Sequence, residues 1–134
     1  MKKGIVDISE LRTPPEEHEL AAANFFAKDF GKNIKFIRPS NISGTHTPDF
    51  WMDKISWELK TPKGKTVRCI SDNIRDAVKQ SENIVLDLRR IKIPSEKCIM
   101  QTQKDFLFYT QIKRLLIITR DSNLLTLLRV KYRI

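Results

Sequence analysis

The chain has 134 residues, 40% of them apolar, and its 25 Lys and Arg against 16 Asp and Glu give a formal charge of +9. That length fits one domain around one core. No apolar run approaches the roughly 20 residues of a membrane helix, the start Met1-Lys2-Lys3-Gly4-Ile5-Val6-Asp7 lacks the apolar stretch of a signal peptide, and Cys69 and Cys98 are too few for a disulfide framework and wrongly spaced for a zinc ribbon.

Residues 1–13 read as a leader with a short apolar patch at Ile5, Val6, Ile8 and Leu11. Thr13 is a capping type, Pro14 and Pro15 suit a first helical turn, and Glu16 and Glu17 favour its positive end. The Ala-rich run from Leu20 to Ala27 continues with strong helix formers and Gly31 stops them, so a helix is predicted over 15–30. Residues 33–38 alternate as a half-buried strand should, and Pro39 ends it. A polar loop over 39–48 leads to two short arms, 49–53 and 55–61, separated by Asp53-Lys54, which read as a hairpin. Ser71-Asp72-Asn73 opens a second amphipathic helix over 71–82, with Ile74, Ala77 and Val78 on one side. Residues 83–88 read as a buried strand. Phe106, Tyr109 and Ile112 recur every three residues, favouring a helix between Pro94 and about Lys113. Residues 115–119 and 124–130 are strands joined by Arg120-Asp121-Ser122-Asn123.

The order α-β-β-β-α-β-α-β-β specifies an α/β fold, a mixed β-sheet flanked by helices. It is read as one domain over 1–134: a leader at 1–13, a motif-bearing core at 14–90 and a basic C-terminal part at 91–134. The charge is uneven. Residues 1–85 hold 14 basic and 12 acidic side chains, whereas residues 86–134 hold 11 and 4, a balance that favours a polyanionic partner.

The informative stretch is Pro48-Asp49-Phe50-Trp51-Met52-Asp53-Lys54-Ile55-Ser56-Trp57-Glu58-Leu59-Lys60. Side chains alternate along a strand. Ile55, Trp57 and Leu59 therefore share a core face, and Ser56, Glu58 and Lys60 share the other. On the first arm Phe50 and Met52 face the core, while Asp49, Trp51 and Asp53 face outward. Hairpin pairing brings Asp49 beside Glu58 and Lys60. Two converging carboxylates suit a hard divalent cation, and a neighbouring lysine can orient water or stabilise charge on a phosphate. The ordinary alternatives are a turn hydrogen bond for Asp49 and a solvated ion pair for Glu58 and Lys60.

Pro48-Asp49 followed by Glu58-Leu59-Lys60, in this order of helix, strand, hairpin, helix and strand, resembles the PD-(D/E)XK nuclease signature and its restriction-endonuclease-like core. The stretch from Glu19 through Thr47-Pro48-Asp49-Phe50, Trp57-Glu58-Leu59-Lys60-Thr61-Pro62 and Ala77 to Arg89 also resembles the tRNA-nuclease domain at the C-terminus of CdiA-type contact-dependent inhibition toxins. That resemblance covers about residues 16–90. It implies metal-dependent cleavage of nucleic acid and, for true toxins, a cognate immunity protein. The start Met1-Lys2-Lys3 without a large delivery region reads as a free-standing product or an excised domain.

By that resemblance Asp49 and Glu58 are the metal ligands, for Mg²⁺ or Mn²⁺ with Zn²⁺ as an alternative, and Lys60 is the catalytic lysine. Glu19 matches the acidic residue of the first helix, with Glu16 and Glu17 as rivals. Gln80 matches a polar position on the second helix, and Lys79 beside it is a phosphate contact. Trp51 is a candidate for contact with bases. His18 and His46 read as ordinary surface residues, and the basic tail (Arg129, Lys131, Arg133) as a solvated edge able to track a nucleic-acid backbone. The expected activity is hydrolysis of RNA, tRNA foremost, in the cytoplasm of a cell into which a toxin domain is delivered. The alternatives are a DNA endonuclease of a phage or mobile element and a catalytically silent nucleic-acid-binding module.

Overall fold

A computed structural model describes residues 2–130. Its elements are β1 (Val6–Asp7), α1 (Glu17–Phe30), β2 (Ile34–Phe36), β3 (Phe50–Met52), β4 (Ile55–Lys60), α2 (Arg68–Ala77), β5 (Asn83–Asp87), α3 (Ser95–Phe108), β6 (Arg114–Ile118) and β7 (Leu124–Leu128). The strands form one seven-stranded mixed sheet in chain order, β1 to β7. Pairing is parallel for β1/β2, β4/β5 and β5/β6, and antiparallel for β2/β3, β3/β4 and β6/β7.

Helix α1 forms where predicted, but Thr13 is not its cap. The backbone N–H of Glu16 donates to Glu19 Oε1 at 2.8 Å, so the first turn closes through a capping box one turn later. Gly31 ends the helix in the left-handed region, at φ 63°. Ala22 and Ala23 are fully buried and let the helix lie close on the sheet. Its core includes Phe25, Phe26, Phe36, Phe50, Trp57, Leu59 and Val85. The opposite face is covered by α2 and α3, through Ile70, Ile74, Cys98 and Phe106 against Ile84, Leu86, Leu115 and Ile117. The alternation of β5 and β6 thus feeds two cores at once.

Two elements differ from the sequence reading. Two leader residues, Val6 and Asp7, pair parallel with β2 and extend the sheet. Helix α2 runs over Arg68–Ala77 and not 71–82. It starts early because Val67, Ile70 and Ile74 already share its apolar side, and the N–H groups of Cys69 and Ile70 turn back to Thr66 and Val67. It stops early because Gln80 and Ser81 both bond back to Ala77 O, and Ser81 Oγ then takes the N–H of Asn83. Among the described residues no helix is long and apolar enough to cross a membrane.

Candidate active site

The hairpin turn at Asp53-Lys54 has positive φ at both residues, 55° and 63°, the twist that a two-residue hairpin needs. It sets the register Phe50 opposite Trp57 and Trp51 opposite Ser56. One step further, Asp49 comes alongside Glu58. The Asp49 N–H donates to Trp57 O at 2.9 Å, and Asp49 O accepts the N–H of Ile37 at 2.9 Å. Its carboxylate enters the ladder too: Oδ2 accepts the N–H of Leu59 at 2.7 Å. The side chain is therefore fixed by backbone on both sides.

Glu58 lies mid-strand on the face covered by α2 and is only 6% exposed. This overturns the solvated-strand alternative. Its Oε2 is 3.5 Å from Lys60 Nζ. Its Oε1 is buried with no hydrogen-bond donor. Thr61 Oγ1, at the end of the same strand, is in the same condition, and these are the two such side-chain atoms among the described residues. Burial, and then the adjacent Asp49 charge, push the Glu58 carboxyl up to about 8, with Lys60 pulling the other way. Burial also raises Asp49, opposed by the Leu59 N–H, by Glu58, and by the charges of Lys60 and His18. Two ionised carboxylates cannot satisfy each other here. A shared proton or a cation is what this arrangement accepts.

Lys60, one-quarter exposed, lines a cleft with His18, Thr61, Lys63, Asn73 and Arg90. Three cationic side chains from three segments thus line one cleft, together with Glu16 and Glu17, and Lys60 links it to the carboxylate pair. Alternation along β4 signals Lys60 alone. Lys63 and Arg90 sit in connections, so only the fold gathers them. His18, read as ordinary surface, is in this cleft because the first turn of α1 overhangs the end of β4. Glu16 Oε2 lies 3.3 Å from its Nδ1.

The remaining sequence-selected residues divide clearly. Glu19 lines a neighbouring pocket with Asp49, but its Oε1 is held by the helix cap. Among the described residues no group of three His, Cys, Asp or Glu side chains forms a ready metal cage. Lys79 and Gln80 lie past the end of α2, in the turn towards β5, and Lys79 Nζ is 4.0 Å from Asp76. The next residue, Ser81, donates its hydroxyl to Ser56 O near the start of β4. Trp51 is 46% exposed, two residues along β3 from Asp49. His46 is exposed in the long loop. Arg129 bonds the carbonyls of Phe106, Tyr109 and Ile112 and stacks on Phe106, so it is not free to track a backbone. Lys131 and Arg133 lie outside the described residues.

No curated protein matches this chain. A solved structure, the CdiA-CT/CdiI toxin and immunity complex from Burkholderia pseudomallei, shares its fold with a TM-score of 0.64 at 19% identity, covering 94% of this chain and 100% of that one. Residues 45–124, which carry Asp49, Glu58 and Lys60, match the family described as the contact-dependent growth inhibition CdiA C-terminal domain, and the chain belongs to that family.

Proposed function

We propose that the protein is a metal-dependent phosphodiesterase with a PD-(D/E)XK-type core that cleaves RNA, tRNA foremost, as a toxin domain. The observation that carries this reading is the buried, donorless Glu58 Oε1 beside Asp49, with Lys60 Nζ 3.5 Å from the other Glu58 oxygen. The pair must hold a shared proton or a cation, and a cation is what the lysine beside it and the proposed chemistry call for.

Asp49 and Glu58 are the residues that would hold Mg²⁺ or Mn²⁺, with water completing an oxygen shell. The cation supplies Lewis acidity, which polarises the phosphoryl oxygen and makes water a competent nucleophile near neutral pH. Lys60 donates a hydrogen bond from Nζ to the attacking water or to a phosphoryl oxygen, where negative charge grows in the transition state. The Asp49 carboxylate is preset by the Leu59 N–H, so little reorganisation is needed when substrate arrives. Lys63 and Arg90 bind flanking phosphates, and Arg90 can do so with two donors. Glu19 acts in the Asp49 pocket as a positioning carboxylate, and Lys79 and Gln80 stand as outer contacts.

Action on tRNA sets the work in the cytoplasm of a target cell. A producer of such an enzyme needs protection, which fits a cognate immunity protein of the kind in the Burkholderia complex. The test is cleavage of tRNA, mixed RNA and DNA by the pure protein, with and without chelator. Cleavage of RNA that chelator abolishes, and that Glu58→Gln and Lys60→Ala lose, is expected. Activity indifferent to chelator, or kept in both variants, overturns the reading. Preference for DNA in the same assay moves the substrate to the phage-type alternative. Salt-sensitive binding with no turnover under any metal makes the protein a silent binding module.

A further inference from the structure

We infer that Trp51 is a stacking platform for one unpaired base next to the scissile phosphate, which makes the substrate a single-stranded or looped nucleic acid and not a continuous duplex. This deepens the proposed function and rests on it for the position of the cut. The argument starts from the sheet. Phe50 and Met52 point into the α1 core, so Trp51 between them points to the other face. That face is roofed over β4 to β7, where α2 packs on β4 and the α2/α3 core takes in β5, β6 and Leu127 of β7, while no residue of β1, β2 or β3 joins that core. Over β2 and β3 it is open, and a tryptophan 46% exposed stands there. A large aromatic left in water on a flat sheet face forfeits burial it could have had.

Position gives the exposed ring its use. Asp49 and Trp51 are two residues apart on one strand and face the same way, a separation of about 7 Å. Neighbouring nucleotides of an extended strand are spaced on that order. A phosphate held beside Asp49, by Lys60 and the cation that Asp49 and Glu58 would hold, thus leaves the adjoining base within reach of the indole. Cations flank the ring: Lys35 is directly opposite Trp51 in the register, and Lys54 is exposed at the hairpin tip. Lys32 and Lys35 are engaged only in exposed ion pairs, with Asp53 at 3.0 Å and Glu10 at 3.6 Å, which a phosphate can displace. An aromatic face between exchangeable lysines is the arrangement that grips a single strand. Bases inside a duplex are already stacked on both faces, so an unpaired base is the one the indole can accept.

The experiment uses the whole chain, a single-stranded RNA oligonucleotide and the same strand annealed to its complement. In chelator, binding by wild type is followed by tryptophan fluorescence, and binding by wild type and every variant by the anisotropy of a dye on the end of the strand. Trp57 is buried at 3% exposure with its Nε1 donating to Met52 O, so the change reports Trp51. The single strand is expected to quench the signal and the duplex to bind more weakly. Trp51→Ala is expected to weaken single-strand binding roughly 5- to 100-fold, the scale of one lost base–aromatic stack, with an unchanged melting temperature. Trp51→Phe keeps most of the affinity without the quench. Single-strand binding unchanged in Trp51→Ala, or equal affinity for the duplex, overturns the inference. So does a Trp51→Ala defect confined to binding a protein partner. With Mg²⁺ added the two readings separate. A Trp51→Ala binding defect without RNA cleavage by wild type under any metal upholds the stacking role and removes the hydrolysis. Normal cleavage by Trp51→Ala does the reverse.

Discussion

Two buried carboxylates on adjacent parallel strands have opposite fates. Asp87, at the end of β5, is 2% exposed and fully answered. Arg89 clamps it with Nε at 2.9 Å and a terminal nitrogen at 2.8 Å, adds its backbone N–H at 3.1 Å, and lies over the Phe25 ring. Glu58, on β4, is 6% exposed and has a lysine 3.5 Å from one oxygen, a second carboxylate alongside, and no donor at the other oxygen. Burial costs both charges. One is compensated by geometry within the chain, whereas the other keeps an oxygen without a donor. On the function proposed above, the contrast separates a charge that holds the fold from one that serves a site, although both are hidden from water.

The largest expected effects break that contrast through activity. Glu58→Gln should lower RNA cleavage by about 10³-fold or more, and Lys60→Ala by about 10²–10⁴-fold, the range for a positioned proton-handling or charge-stabilising group. Single-turnover cleavage measures both. Asp87→Ala should act the other way, leaving the carboxylate site intact and removing about 3 kcal/mol of stability by stranding Arg89. Urea unfolding reads this, and an undiminished midpoint would place Asp87 with Glu58.

The pH dependence follows from the direction of the Glu58 shift. Its carboxyl sits near 8 in the folded chain, above its ordinary value of 4.5, so the fold holds this proton more tightly than the unfolded chain does. No penalty falls on the fold below about 4.5, and one accumulates as pH rises to about 8. The raised Asp49 carboxyl works in the same sense. The melting temperature of metal-free protein should therefore fall over that window relative to Glu58→Gln. At pH 8 the variant should melt about 3 °C or more above wild type, the worth of about 1 kcal/mol in a chain of this size. Mg²⁺ should restore wild type at pH 8 and do little at pH 5. Equal melting curves for the two proteins across the window would remove the distinction between Glu58 and Asp87. The smallest effect belongs to Glu19→Gln, which keeps the capping hydrogen bond and should shift stability by less than about 0.5 kcal/mol. A loss of cleavage in that variant without loss of stability would make Glu19 part of the site and not only of the helix.

Much of the site was legible because a two-residue period suffices for it. Alternation along 49–60, with Asp53-Lys54 as the turn, puts Asp49, Trp51, Glu58 and Lys60 on one face, and the register agrees. Alternation cannot say what covers that face. A solvated ion pair stayed open as the alternative for Glu58 because the arrival of α2 over β4 is a tertiary event. The same limit hid His18, Lys63 and Arg90, which lie on three segments and meet only when α1 overhangs the sheet end. Thr13 misled as a cap because it is a good capping type, whereas Glu16 and Glu19 close the first turn on each other. Val6 and Asp7 carry too short a pattern to announce a strand, and their pairing with β2 depends on α1 returning the chain to that edge. The start of α2 was displaced because its apolar spacing begins at Val67, ahead of the capping types Ser71-Asp72-Asn73.

Because spatial order repeats chain order from β1 to β7, no strand has to be threaded between two that have already met. The sheet can grow outward by accretion from its middle, each newcomer finding its place at an open rim, with only local loops to close. A chain that must regain its shape after any transit that unravels it has, in this layout, a short route back.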